Sequence, residues 1–342
     1  MATTYERRWE TRRGGTRSVS DETRESYYGL AVIHRPHWKW LIISYFFLGG
    51  ISGASYAIAT IAHLVGGPDG RRITRAGRYL SLAALIPSPI LLILDLGRPE
   101  RFHHMLRILK LRSPMSVGTW VLTIFGGFCG LSTLIQAAED GLLGQATTIA
   151  RLLRNLPAGT IGAVGSVFGF LLAGYTGILL AMTAVPLWLK NYLLMGPLFL
   201  ASAMSNATAA ITLVLALARG TSHRTLNRLQ RLDLVALTAE LGLLLAARMN
   251  LGTVLARPLR EGRLGQIYRW GVLGVGITGP LALLASSVLL RGKGAARMLE
   301  ALAAAMALAG GFMFRYLMVM AGRASADDPQ STFEFTGRNG EQ

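Results

Sequence analysis

Asp95 closes an apolar stretch, Leu92-Ile-Leu-Asp95-Leu-Gly97-Arg98-Pro99. A carboxylate at a helix C-terminus opposes the helix dipole and needs a partner. Arg98 is the nearest candidate. The two read either as a local ion pair closing the helix, or as a proton acceptor and its orienting cation at a membrane edge. There a lipophilic redox molecule would present its hydroxyl. Glu240, in Leu237-Thr-Ala-Glu240-Leu-Gly, and Arg315, in Phe312-Met-Phe-Arg315-Tyr316, stand inside apolar runs. An ionisable group near the bilayer centre costs at least about 2.5 kcal/mol on insertion scales, so such groups are either paired or functional. Glu240 and Arg315 therefore read as a pair holding the helices together or as a step on a proton route. The chain has 6 histidines. A haem-bearing membrane anchor needs facing histidines within its spans, and only His63 lies in an apolar run, near its end. His34, His37, His103 and His104 lie outside the runs, on the side of Asp95, and are candidate contacts for a ligand, a headgroup or a partner. Tyr45, Tyr175 and Trp188 are the notable aromatics. Interfacial Tyr and Trp usually form the aromatic belt. Tyr175 instead stands mid-run between Gly174 and Gly177, where a buried hydroxyl wants a partner and the glycines would open space for a flat ligand.

The elements that must position these residues follow from composition. Of 342 residues 51% are hydrophobic and 15% charged, against about 25% charge in a typical soluble domain. The charges are mostly basic, with a formal net charge of +17. They cluster in short segments between long apolar runs rather than along one face, which fits headgroup anchoring and not nucleic-acid binding. One cysteine, Cys129, excludes an internal disulfide, a Cys₄ zinc site and a self-held iron–sulfur cluster; no metal site is expected. A spanning helix needs about 20 mostly apolar residues. Eight candidate spans result, at 40–65, 79–96, 115–138, 158–185, 196–218, 232–249, 267–290 and 298–321. Gly66-Gly67-Pro68-Asp69-Gly70, Gly97-Arg98-Pro99 and Arg257-Pro258 mark turns between them. The expected fold is all-α, a polytopic membrane helix bundle, and by count alone the eight spans fit two four-helix bundles. Residues 1–38 form a polar N-terminal tail without a cleavable signal, 39–321 the transmembrane domain and 322–342 a C-terminal tail. An even number of spans puts both termini on one side, and the excess of Lys and Arg there favours the cytoplasm. Gly49/Gly53, Gly126/Gly130 and Gly165/Gly169 are spaced to bring helices into close contact.

Four stretches together resemble the NrfD-like family, the membrane subunit of polysulfide-reductase-type complexes. They are Trp38-Lys-Trp40 through Gly53; Asp95-Leu-Gly-Arg-Pro99-Glu-Arg-Phe102 with Ser113-Pro-Met-Ser116-Val-Gly-Thr-Trp120; Gly174-Tyr-Thr-Gly177 with Pro186-Leu-Trp188 and Pro197 to Ala203; and Arg315-Tyr with Ala321 to Pro329. The Asp-Leu-Gly-Arg-Pro and Ser-Pro-Met-Ser block is the specific part. The resemblance implies about eight spans in a bacterial inner membrane and no haem or iron–sulfur cluster in this chain. It implies a quinone or quinol (menaquinone or ubiquinone) bound at one membrane face. It also implies a docked iron–sulfur subunit of the 4Fe-4S ferredoxin type, joined to a molybdopterin catalytic subunit. Some members place a His and an Asn near the start of the first span as quinone contacts. Here Leu41 and Ser44 occupy those places, and His34 and His37 stand one to two turns earlier. On this reading Asp95 accepts or delivers the quinone proton, oriented by Arg98, and Tyr175 or His37 holds a quinone oxygen. Tyr45, His34, His103 and Trp188 complete the candidate pocket, and Glu240 and Arg315 extend a proton path. A purely structural anchor and a proton or solute transporter are the alternative readings.

Overall fold

The computed structural model describes residues 36–144, 147–218, 221–289 and 294–332. His34 and most of the expected N-terminal tail lie outside them. The regular secondary structure of the described residues is all helical, and its main helices are α1 (Trp40–Val65), α2 (Gly67–Leu85), α3 (Pro87–Leu94), α4 (Pro114–Glu139), α5 (Ala158–Ala181), α6 (Tyr192–Leu217), α7 (His223–Asn250), α8 (Gly279–Leu289) and α9 (Gly294–Asp327). α2 and α3 form one crossing, bent at Ile86 where Pro87 and Pro89 follow. A π-helical segment, Ile267–Thr278, precedes α8. Among the described residues, seven helices are long and apolar enough to cross a membrane. The chain is a multi-pass membrane protein.

α7 is the eighth long helix and the exception. Its central stretch carries Asp233, Glu240 and Arg248, too much charge for a purely apolar span. Its 28 residues cover about 42 Å at 1.5 Å per residue. It packs along α6 and returns the chain across the bundle. The charges are tolerable because Asp233 and Glu240 face protein: both are buried, at 3% and 4% exposure.

The contacts divide into two four-helix groups. One contains α1, α2 with α3, α4 and α5. The other contains α6, α7, the π-helical segment with α8, and α9. α6 packs against α1 and α5 and joins the groups.

Glycine sets the closest approaches. A Cβ on Gly53 would collide with the carbonyl oxygen of Gly169, and one on Gly169 would stand 2.8 Å from the Gly53 oxygen, so α1 and α5 touch backbone to backbone. Gly126 and Gly130 do not serve this purpose: a Cβ on Gly130 meets nothing within 4 Å. The expected turn at 66–70 is shorter than its sequence suggests. Gly67 adopts φ 59°, and Pro68 already lies in the first turn of α2, where a missing N–H costs nothing. Arg71, Arg72, Arg75 and Arg78 are therefore helical. α9 runs to Asp327, past the expected end at 321.

Candidate functional site

α3 ends at Asp95, whose backbone N–H donates to the Leu91 carbonyl at 3.2 Å. The following turn swings Arg98 out into an exposed position before a 3₁₀ helix, Pro99–Leu106. No Asp95–Arg98 ion pair is found among the described residues. The cations acting on Asp95 are Lys39 and His37, at the start of α1. Partial burial pushes the Asp95 carboxyl above its ordinary range, and Lys39 and His37 pull it part of the way back.

Beside this corner lies an apolar groove of about 350 Å³, lined by Leu92, Ile93, Leu96, Phe102 and Met105 and closed by Leu122 of α4. Ile93 and Leu96 flank Asp95 in the chain. His37 is exposed, and so are His103 and His104 on the 3₁₀ helix, their rings 4.4 Å apart. The groove is lined almost wholly by apolar side chains, and neither Asp95 nor His37 is among the residues that line it.

The aromatic candidates sit deeper than expected. Tyr175 donates its hydroxyl to the carbonyl of Pro114 at the start of α4, and a Cβ on Gly118 would collide with its ring. The space beside it is taken: a Cβ on Gly177 would strike the Met195 carbonyl of α6. The glycines around Tyr175 thus admit a neighbouring helix rather than a flat ligand. Trp188 is fully buried. Its Nε1 donates to the Met318 carbonyl at 2.9 Å, its ring stacks on Trp38 at 5.5 Å, and Gly322 lies against its edge. It is an anchor between the two helix groups, closed off from any ligand. Tyr45 is buried beside Phe46, and no hydrogen-bond partner for its hydroxyl is found among the described residues; Tyr175 is within its electrostatic reach.

A second polar centre lies in the other group. Arg315 is 1% exposed, and its guanidinium is packed between the rings of Phe199 at 5.3 Å and Phe314 at 5.2 Å. Nη1 donates to Ser202 Oγ and Nη2 to the Phe199 carbonyl at 3.3 Å. Glu240 faces the same Ser202 and feels the Arg315 charge, but no direct ion pair joins them among the described residues. Serine mediates between the two charges. The Nε of Arg315 and the Oδ1 of Asn206 are buried without hydrogen-bond partners.

Sequence reasoning missed Asp233. Ser205 Oγ donates to its Oδ1 at 3.2 Å, and it lies two helical turns from Glu240 on the same face of α7. The signal was present: an Asp seven residues before a mid-span Glu shares its face. It reads as a flank only if Arg231 is taken to mark the interface. Glu300 of α9 is also buried, near Arg297 and His223.

Residues 32–326 match the family model described as "Polysulphide reductase, NrfD". A stretch of 88 residues is 26% identical to a selenate reductase subunit of Mesobacillus selenatarsenatis, covering 26% of this chain and 20% of that protein. The chain thus spans about a fifth of that relative's length.

Proposed function

We propose, from the premise that this chain belongs to the NrfD family of membrane subunits of oxidoreductase complexes, that it exchanges electrons between a membrane quinone pool and a docked redox partner. The observation that carries the reading is the Asp95 corner. There a partly buried carboxyl with a raised proton affinity lies next to an apolar groove at the end of a spanning helix.

When bound, a quinol supplies two electrons and two protons on oxidation to quinone. Asp95 takes a proton from the ring hydroxyl, and its raised proton affinity brings it nearer to working pH, where a base is most effective. His37 accepts the second proton from the other ring hydroxyl, and Lys39 balances the negative charge that Asp95 carries until it takes its proton. The apolar groove residues exclude water and hold the ring. Tyr175 keeps its hydroxyl on the Pro114 carbonyl and fixes the start of α4, whose Leu122 closes the groove. Arg98, His103 and His104 are exposed on the same face, where an iron–sulfur subunit would receive the electrons and pass them to a molybdopterin subunit.

Glu240, Ser202 and Arg315, with Asp233 and Ser205 behind them, form a line of exchangeable groups within the second helix group. In this reading they carry protons partway across the membrane. The selenate reductase relative supports a partnership with a redox enzyme and leaves the terminal substrate open.

The deciding experiment is quinol-dependent reduction of the partner's clusters in the purified complex. Reduction in the wild type, lost in Asp95→Asn with assembly intact, is the expected result. A purely structural anchor gives no quinol-dependent reduction with either chain.

A further inference from the structure

The end of the bundle opposite Asp95 carries a polar recess that the quinone chemistry does not use. A cavity of about 710 Å³ opens between the C-terminal ends of α1 and α4 and the first turns of α2, lined by Arg71, Arg72, Arg75, Gln136, Glu139 and Asp140. The carboxylates are already matched. Arg75 Nε stands 2.9 Å from Asp140, which also accepts from Tyr79 at 2.8 Å and from Gln136 at 3.2 Å. Beneath the cavity the buried Arg78 donates to Gln136 Oε1 at 3.1 Å and lies 3.9 Å from Glu139. Arg71, Arg75 and Arg78 alone set three guanidiniums against the two carboxylates, which leaves the recess with excess positive charge. Arg71 is exposed and has no partner among the described residues.

The recess sits where three membrane-crossing helices end. On the last turn of α1 beside it, Leu64 and Val65 are 56% and 78% exposed, apolar side chains that need lipid around them. Guanidinium groups in a fixed array bind phosphate oxygens through paired N–H donors. We propose that this recess binds the phosphate of an anionic phospholipid. Arg71 is the contact group, Arg75 and Arg78 are held in place by their carboxylate and amide partners, and the acyl chains lie against the exposed Leu64 and Val65 at the end of α1. This site is independent of the quinone reading, and either can fail without the other.

The test uses the full-length chain in its purified complex, placed in nanodiscs of phosphatidylcholine with or without phosphatidylglycerol. Thermal midpoint and the lipids retained in native mass spectrometry are the readouts. Phosphatidylglycerol is expected to be retained and to raise the midpoint. Arg71→Gln is expected to weaken retention about fivefold, the worth of one arginine near an anionic surface. Glu139→Gln removes a counter-charge and is expected to strengthen retention. Arg224→Gln, exposed at the same end of the bundle but outside the recess, is expected to leave it unchanged. Equal stabilisation by the two lipids overturns the proposal. So does an equal loss in Arg71→Gln and Arg224→Gln, which would signify general surface attraction. A midpoint rise with inorganic phosphate alone, and no preference between the lipids, would make free phosphate the ligand and overturn the lipid assignment.

Discussion

Asp95 combines two unfavourable placements, a negative charge at a helix C-terminus and partial burial, and both make the neutral form easier to reach. The folded chain holds this proton more tightly than the unfolded chain. Ionisation of Asp95 therefore costs folding stability as pH rises through its folded value, and Asp95→Asn removes that cost. The variant is expected to assemble at least as well as the wild type while losing quinol oxidation, measured as quinol turnover and thermal midpoint on the same preparation. Wild-type turnover should fall as pH drops through the raised carboxyl value, because the base is then already protonated. Tyr175 makes the opposite case. Its hydroxyl bonds a backbone carbonyl, so Tyr175→Phe is expected to lower stability by about 1 kcal/mol, the net worth of one hydrogen bond, with turnover largely retained. A loss of turnover far exceeding the loss of stability would return the hydroxyl to the chemistry.

Among the helices, glycine decides what can approach what. α1 and α5 meet at Gly53 and Gly169 with no room for a methyl group. Gly53→Ala must push the helices apart, and overpacking of this kind costs about 1–3 kcal/mol or more. Gly130 faces open space in the same group, and there alanine gains up to about 1 kcal/mol of helix propensity. Thermal midpoints of the two variants should move in opposite directions. Equal shifts would mean that the contact between α1 and α5 is softer than its geometry. The same reasoning explains why α7 can be polar along one face. Its carboxylates meet Ser202 and Ser205 of α6, so the charge is offset by protein partners rather than by water.

For the molecule as a whole, the two helix groups divide the work. The first carries the Asp95 corner and the basic recess at opposite ends, and the second carries the buried carboxylates. Proton uptake by liposomes containing the assembled complex is expected during quinol oxidation, and Glu240→Gln and Asp233→Asn should each suppress it while electron transfer to the partner continues. Full uptake in both variants would reduce Glu240, Asp233 and Arg315 to structural pairing. Arg315→Met, measured with them, is expected to lower the thermal midpoint, since it removes the guanidinium's hydrogen bonds to Ser202 and to the Phe199 carbonyl and leaves those buried groups unmatched.

The linear chain determined its solvent, its helical class and its family, because apolar run length and basic punctuation are local properties that a bilayer reads directly. Asp95, Glu240 and Arg315 were legible as unusual because a charge in or beside an apolar run is conspicuous in one dimension. Their partners were not. Arg98 is three residues from Asp95 in sequence, yet a turn carries it away, and Lys39 and His37 arrive from the segment that leads into α1. Tyr175 and Trp188 looked available until α4, α6 and α9 closed over them. The match between Glu240 and Arg315 passes through Ser202, a residue that carries no signal of its own in the sequence. Which groups meet is fixed by how helices distant in the chain pack side by side, and that depends on three-dimensional fit at small residues such as Gly53, Gly177 and Gly322, whose partners are set by tertiary contact and not by spacing along the chain.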